Sequence, residues 1–191
     1  MFINPLAQSL SSIILNLAAA ITAMNASLEA RQLISQGRLR EAGTLLDSAL
    51  GKTPANDDLW YLRGVVSLKL NNHENAHECL ERALSYSPKA LYHKTIGMAH
   101  LEMYEIEDAV GALAQAVEKD PKDAESHFLL AVCLILLDDP RAKEHMEKAY
   151  LRDRKKTQEL LRSFVDSFFV RDPTIRAAVK KELIEKVEKM K

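Results

Sequence analysis

Apolar side chains recur along this chain at three- and four-residue intervals, and no stretch keeps the two-residue alternation of a half-buried strand. The pattern is clearest at the start. Asn4 stands where a helix is capped and Pro5 where one begins. Leu6, Leu10, Ile13, Ile14, Leu17, Ile21, Met24 and Leu28 then line up as one stripe at helical spacing. Opposite them lie Gln8, Ser12, Ala19 and Ala23, small or uncharged residues that allow both faces to be packed. No Gly or Pro interrupts Leu6–Gln36, which predicts one long helix, or two with a kink near Asn25–Ser27. At the other end, residues 156–170 place Leu160, Leu161, Phe164, Val165, Phe168 and Phe169 on one side. Asp172 and Pro173 then open a last predicted helix with the stripe Ile175, Val179, Leu183, Val187 and Met190.

Between these ends the pattern repeats. Ala42, Ala76, Ala109 and Ala142 follow one another at 34, 33 and 33 residues, and Ala49, Ala83, Ala116 and Ala149 keep the same intervals. Leu46, Leu80, Leu113 and Met146 fall between them, and Ala30, Gly64, Gly97 and Ala131 come earlier in each unit. Pro54, Pro88 and Pro121 close three units, whereas Arg154 stands where a fourth proline is due. A helix, a tight turn and a second helix explain these columns. Ala or Gly lets two helix axes approach, Leu or Met fills the gap one turn away, and proline ends the second helix. One such hairpin cannot bury its apolar face alone, so several must stack.

The columns resemble the tetratricopeptide-repeat (TPR) family, whose pattern reads W-x2-L-G-x2-Y, then A-x3-F, A and P. The fullest copy has Trp60, Gly64, Ala76, Leu80, Ala83 and Pro88, and departs from the pattern at Arg63 and Ser67. The resemblance spans residues 23–155 in four units (23–56, 57–89, 90–123, 124–155), preceded by an uncharged amphipathic helix over 1–22 and followed by capping helices over 156–191. The fourth unit is degraded: its turn, Asp138-Asp139-Pro140, is a residue short. The implied fold is all-α, a right-handed α-solenoid whose first helices line a concave face.

Charge and cysteine usage refine this picture. The net charge of −1 conceals 11 basic and 18 acidic residues over 1–139 against 15 basic and 9 acidic over 140–191. Solvated helix faces account for such an asymmetry, and head-to-tail contact between subunits would exploit it. Cys79 and Cys133 fit no metal spacing and no disulfide framework, which suits free thiols in a cytoplasmic, reducing compartment. No charged side chain precedes Glu29. Without a basic leader, and with Asn16 and Thr22 inside its apolar run, the segment is expected to be neither a signal peptide nor a span.

His73, Glu74 and His77 fit H-E-x-x-H, the zinc-peptidase pattern. The repeat offers a plainer reading, because Ala76 belongs to the helix-crossing column and the two histidines occupy slots held elsewhere by Leu39, Ile106, Gly43 and Val110. Leu80 and Ala83 stand where an extended motif needs Gly and His. A zinc hydrolase is thus a remote alternative; no metal, cofactor or catalytic residue is expected, and no phosphate-binding or nucleophile-elbow motif is present.

The resemblance also implies a peptide-binding groove formed by Arg31, Tyr61, Val65, Leu68, Lys69, Lys94, Met98, Leu101, Phe128, Val132 and Ile135. This set is largely apolar, so it either takes a partner or is core covered by the chain's own termini. The Lys/Asn clamp with which some TPR domains grip chaperone carboxylates is absent, since Met98 follows Lys94 by one turn and the next unit offers Leu129. The expected function is therefore a non-enzymatic adaptor or assembly scaffold that holds an amphipathic or extended segment of a protein partner. A charge at Met98 or Phe128 should then abolish binding and spare the fold. Self-association through Leu6, Leu10, Ile13, Ile14, Leu17 and Ile21 is a second expectation. The alternative is a membrane-attached adaptor, peripheral or anchored by residues 1–28; nucleic acid is not an expected partner.

Overall fold

The computed structural model describes the backbone of residues 5–171 and the side chains of residues 13–164. The side chains of Leu6, Leu10, Val165, Phe168 and Phe169, the Asn4 and Asp172 caps and the helix predicted after Pro173 lie outside the described residues. Among those described, all regular structure is helical: α1 (Pro5–Ser35), α2 (Leu39–Lys52), α3 (Asp57–Lys69), α4 (His73–Tyr86), α5 (Ala90–Glu102), α6 (Ile106–Lys119), α7 (Ala124–Leu136), α8 (Arg141–Arg152) and α9 (Arg154–Arg171). The helices fall into two compact units, up to Ala99 and from His100 onward, so the last turn of α5 belongs to the second.

Left-handed residues make the turns. Gly37, Asn71, Tyr104 and Asp138 have φ of 74°, 57°, 61° and 53°. Each follows the first helix of a hairpin, and the same pair of hydrogen bonds closes every turn. The residue at positive φ donates three residues back, and the next N–H donates five residues back: Arg38 to Leu33, Asn72 to Ser67, Glu105 to His100, Asp139 to Leu134. This is a Schellman closure, which satisfies carbonyls that the helix end leaves unpaired. Five residues separate the first three of these positions from Ala42, Ala76 and Ala109, whereas four separate Asp138 from Ala142. The shortened fourth turn is thus real, yet its closure is preserved. Second helices end instead on Thr53, Ser87, Asp120 and Asp153, all at negative φ. Asp153 caps α9 where the fourth proline is missing, its carboxylate accepting from the Lys156 N–H at 2.9 Å.

The columns read from the sequence are the core. Ala42, Ala76, Ala109, Ala83, Ala116 and Ala149 are essentially inaccessible, as are Leu46, Leu80 and Leu113. Burying each of these leucines is worth about 1.5–3 kcal/mol. The crossing of α3 and α4 shows why the column stays small. A Cβ on Gly64 would lie 2.7 Å from Leu80 Cγ and 3.4 Å from the Ala76 carbonyl oxygen. In the second unit, Ala109, Leu113, Leu130, Cys133, Leu134 and Ala142 form the corresponding cluster.

α1 is one continuous helix with no break at Asn25–Ser27. Its small-residue side makes the contact: Ala23, Ala26, Ala30 and Leu33 are buried against Leu46, Leu59, Leu62 and Val66. The apolar stripe is left outside, with Ile13, Ile14, Leu17, Ile21, Met24 and Leu28 all exposed. Close approach of the helix axes explains this choice of face, since alanines admit what the bulkier stripe would hold apart.

Candidate functional site

In the first unit α1, α3 and α5 lie side by side, tied by a polar seam. Asp58 accepts from the Ser27 hydroxyl and, at 2.5 Å, from Arg31 Nη2. Asp57 Oδ2 accepts from Tyr92 Oη at 2.8 Å and meets Lys89 Nζ at 2.5 Å. Burial alone would raise the Asp57 carboxyl, but hydrogen bonds from Lys89 and Tyr92 outweigh it and hold it below its ordinary value. Burial, with Asp57 beside it, pushes the Tyr92 hydroxyl up to about 12. The buried Tyr92 ring stacks on Tyr61 at 4.8 Å, locking α5 against α3.

Tyr61, Val65 and Leu68 share one side of α3 at the i, i+4, i+7 spacing, all half-buried, and Lys69 beside them is exposed. On α5, Met98 is exposed and Lys94 half-buried. Arg31 reaches the same edge, but its charge is already matched by Asp58. Asp57 and Asp58 organise this face and were not foreseen. As paired acids at the start of a predicted helix they read as first-turn residues answering the helix dipole, and nothing in the spacing aims them at Lys89 and Arg31.

The second unit differs. Phe128 and Val132, named as groove residues that either meet a partner or lie under the chain's own terminus, are only 2% and 3% exposed. Together with Ala149 they sit beneath Leu160, Leu161 and Phe164 of α9, with Met146 alongside. The expectation that they contact a partner directly is corrected: the chain's own helix occupies that place. Leu101 faces inward to the Ala109–Leu113 cluster. Ile135 remains exposed, at the edge of an open pocket of about 950 Å³ shared with Asp139, Met146, Tyr150 and Leu151. Leu151, 83% exposed, stands where the earlier hairpins have Gly51, Ser85 and Glu118.

His73 opens α4 half-buried, and His77 is exposed one turn on. Among the described residues, the grouping of three candidate metal ligands is elsewhere: His100, Glu105 and Asp108, whose ligand atoms lie within 4.8 Å of one another. It too was unforeseen, and two of its members already meet each other, His100 Nδ1 lying 2.7 Å from Glu105 Oε2 across the turn. Cys79 and Cys133 are buried free thiols; desolvation raises both, Cys133 to about 11, which disfavours the thiolate.

Family profiles described as tetratricopeptide repeat match residues 33–98 and 94–152. The chain belongs to the tetratricopeptide-repeat family. Its fold is all-α, of the TPR-solenoid class, and is similar to the solved structure of pilF from Pseudomonas aeruginosa (TM-score 0.72, 18% identity, 89% of this chain and 78% of that one). It is also similar to MamA from Desulfovibrio magneticus RS-1 (0.61, 25%, 70% and 76%) and to YrrB, a TPR protein with an unusual peptide-binding site (0.63, 19%, 87% and 86%). Two curated relatives are both BBSome complex member BBS4. The Xenopus tropicalis protein is 32% identical over 110 residues, 56% of this chain and 21% of its own length; the Mus musculus protein is 30% identical over 131 residues, 63% and 24%. This TPR protein thus spans less than a quarter of either relative. The repeats make the chain a protein–protein interaction scaffold, and TPR modules are typically non-catalytic.

Proposed function

We propose that the chain acts without catalysis, holding an apolar, amphipathic segment of a partner protein against the first unit's face of α1, α3 and α5. The observation that carries this reading is the partly exposed set Tyr61, Val65 and Leu68 with the exposed Met98, in contrast to the second unit, whose matching residues Phe128 and Val132 lie under α9. Half-exposed aromatic and methionine side chains adapt to an amphipathic helix, and Lys69 at the margin favours acidic residues flanking its apolar side. A stable contact of this kind buries about 800 Å² on each partner. The peptide-binding site of YrrB, on a similar fold, supports the reading. Capture of partners by the intact protein and by Met98→Glu tests it. Loss of the same partner with an unchanged helical melt is expected. Retention of every partner by Met98→Glu would overturn the proposal, and stoichiometric zinc in the purified protein would overturn its non-catalytic part.

A second reading concerns α1. We propose that its uncharged stripe, from Ile13 to Leu28, mediates self-association in a cytoplasmic protein; the exposure of Ile13, Ile14, Leu17 and Ile21 favours it. Membrane attachment through residues 1–28 is the rival, because Ile13–Ser35 is long and apolar enough to cross a bilayer. Light scattering on full-length protein and on a chain lacking residues 1–22 separates them. A full-length oligomer that becomes monomeric supports self-association. Monomers in both cases, with flotation of the full-length protein on phosphatidylcholine vesicles, would replace it with the membrane reading.

A further inference from the structure

His127 and His145 face each other across the α7–α8 hairpin with their Nδ1 atoms 3.0 Å apart and ring centroids 5.2 Å apart. His127 is buried and His145 half-buried. Because His127 Nε2 lies 3.2 Å from the Pro121 carbonyl oxygen, which can only accept, Nε2 carries the proton and the neutral ring presents a bare Nδ1 to its neighbour. His145 must then donate from its own Nδ1. The contact is thus one neutral hydrogen bond in one tautomeric arrangement. A first proton can enter at His145 Nε2 and leave that bond intact. A second, on His127 Nδ1, would set two N–H groups against each other at 3.0 Å between two charged rings.

The charges facing the pair do not offset this. Asp123 and Glu144 are the acids; Arg141, Lys148 and Arg152 are the bases. Asp123 is engaged by the Ser126 hydroxyl at 2.6 Å, and Glu144 by Lys148 at 2.5 Å. Burial lowers the affinity of both imidazoles for protons and outweighs the Pro121 carbonyl, which favours a charged His127; Lys148 and Arg152 lower it further at His127, and His127, Lys148 and Arg141 at His145. The same hairpin supplies Phe128, Val132 and Ala149, the seat of α9.

We propose that His127 and His145 form an acid-sensitive latch on the α7–α8 hairpin: neutral, they hold it closed beneath α9, and full protonation loosens it and uncovers Phe128 and Val132. The sign follows from linkage. Both groups take up protons less readily folded than unfolded, so the second unit is most stable above the ordinary imidazole value of 6.5 and loses stability as pH falls below it. The two rings titrate as a coupled pair in two steps. The latch is independent of whether a partner binds the first unit.

The test uses the full-length protein. Imidazole NMR titration and native-state hydrogen exchange are followed at pH 7.5 and pH 5, with exchange corrected for its intrinsic pH dependence. The two rings should titrate in separate steps, the second well below pH 6.5. Protection of α7–α9 amides should fall on the order of tenfold or more at pH 5, while α2–α4 keep theirs. His145→Gln should reduce that fall, because its amide can donate to a neutral His127 and turn its oxygen to a protonated one, leaving only the part due to the burial of His127. Both rings titrating near 6.5, α7–α9 protection that does not change, or a loss shared equally by α2–α4 would each overturn the latch; these readouts stand on the wild-type protein even if His145→Gln does not fold.

Discussion

The two units are built from the same columns of small and large residues, and they treat the face of their first helices differently. In the first, the Tyr61–Val65–Leu68 side of α3 stays half-exposed and Met98 on α5 exposed. In the second, the side of α7 that carries Phe128 and Val132 lies under α9. One repeat chemistry thus gives an open surface in one place and a core in another. The difference lies in what comes next in the chain, since Asp153 caps a helix that begins at once with Arg154, where earlier units have a closing proline.

Exchanging residues between these environments has the largest consequence. Phe128→Glu should bury a carboxylate beneath α9 and cost about 4 kcal/mol or more, read as loss of the second unit's protection and of the thermal transition. Met98→Glu, at the surface, should stay within about 0.5 kcal/mol of wild type in urea unfolding. Equal destabilisation by the two would erase the distinction between the units.

Gly64→Ala comes next. Its column partners Ala30 and Ala131 are already alanine and fully buried, but at Gly64 the added methyl meets Leu80 at 2.7 Å. A cost of about 1–3 kcal/mol is expected from overpacking; a neutral outcome would show that Leu80 can turn aside. The smallest contrast is in the turns. Gly37→Ala adds a Cβ that touches nothing within 4 Å but must hold φ +74°, so about 1 kcal/mol should be lost through backbone conformation alone. Asp138→Gly, which relieves the same strain at φ +53° in the second unit, should be neutral or stabilising by a few tenths of a kcal/mol. Chemical denaturation resolves both.

The packing columns were legible because a helix crossing constrains residue size at a fixed sequence interval, and four copies repeat that constraint in register. The short fourth turn was legible for the same reason. The left-handed positions were not, because Gly37, Asn71, Tyr104 and Asp138 share no residue type. At Tyr104 the Schellman hydrogen bonds override propensity, whereas Gly37, Asn71 and Asp138 are residue types that tolerate positive φ. Of the expected groove residues, those on α3 and Lys94 and Met98 of α5 lie in the first unit, whereas Leu101 packs into the Ala109–Leu113 cluster of the second and Phe128 and Val132 went under α9. Periodicity names the apolar side of a helix without naming what covers it. The α1 stripe went the other way for that reason, left outside while its alanines packed.

What the sequence determined by itself is local and repeated: helical spacing, residue size at each crossing, and hairpin length, all set by neighbours within one or two turns or one repeat. Only the tertiary structure decided which apolar faces are buried, how Asp57 and Asp58 bind α1, α3 and α5 together, and that His127 meets His145. Those outcomes depend on the position of a second helix, and a side chain's burial is a property of the pair rather than of the strip of sequence that carries it.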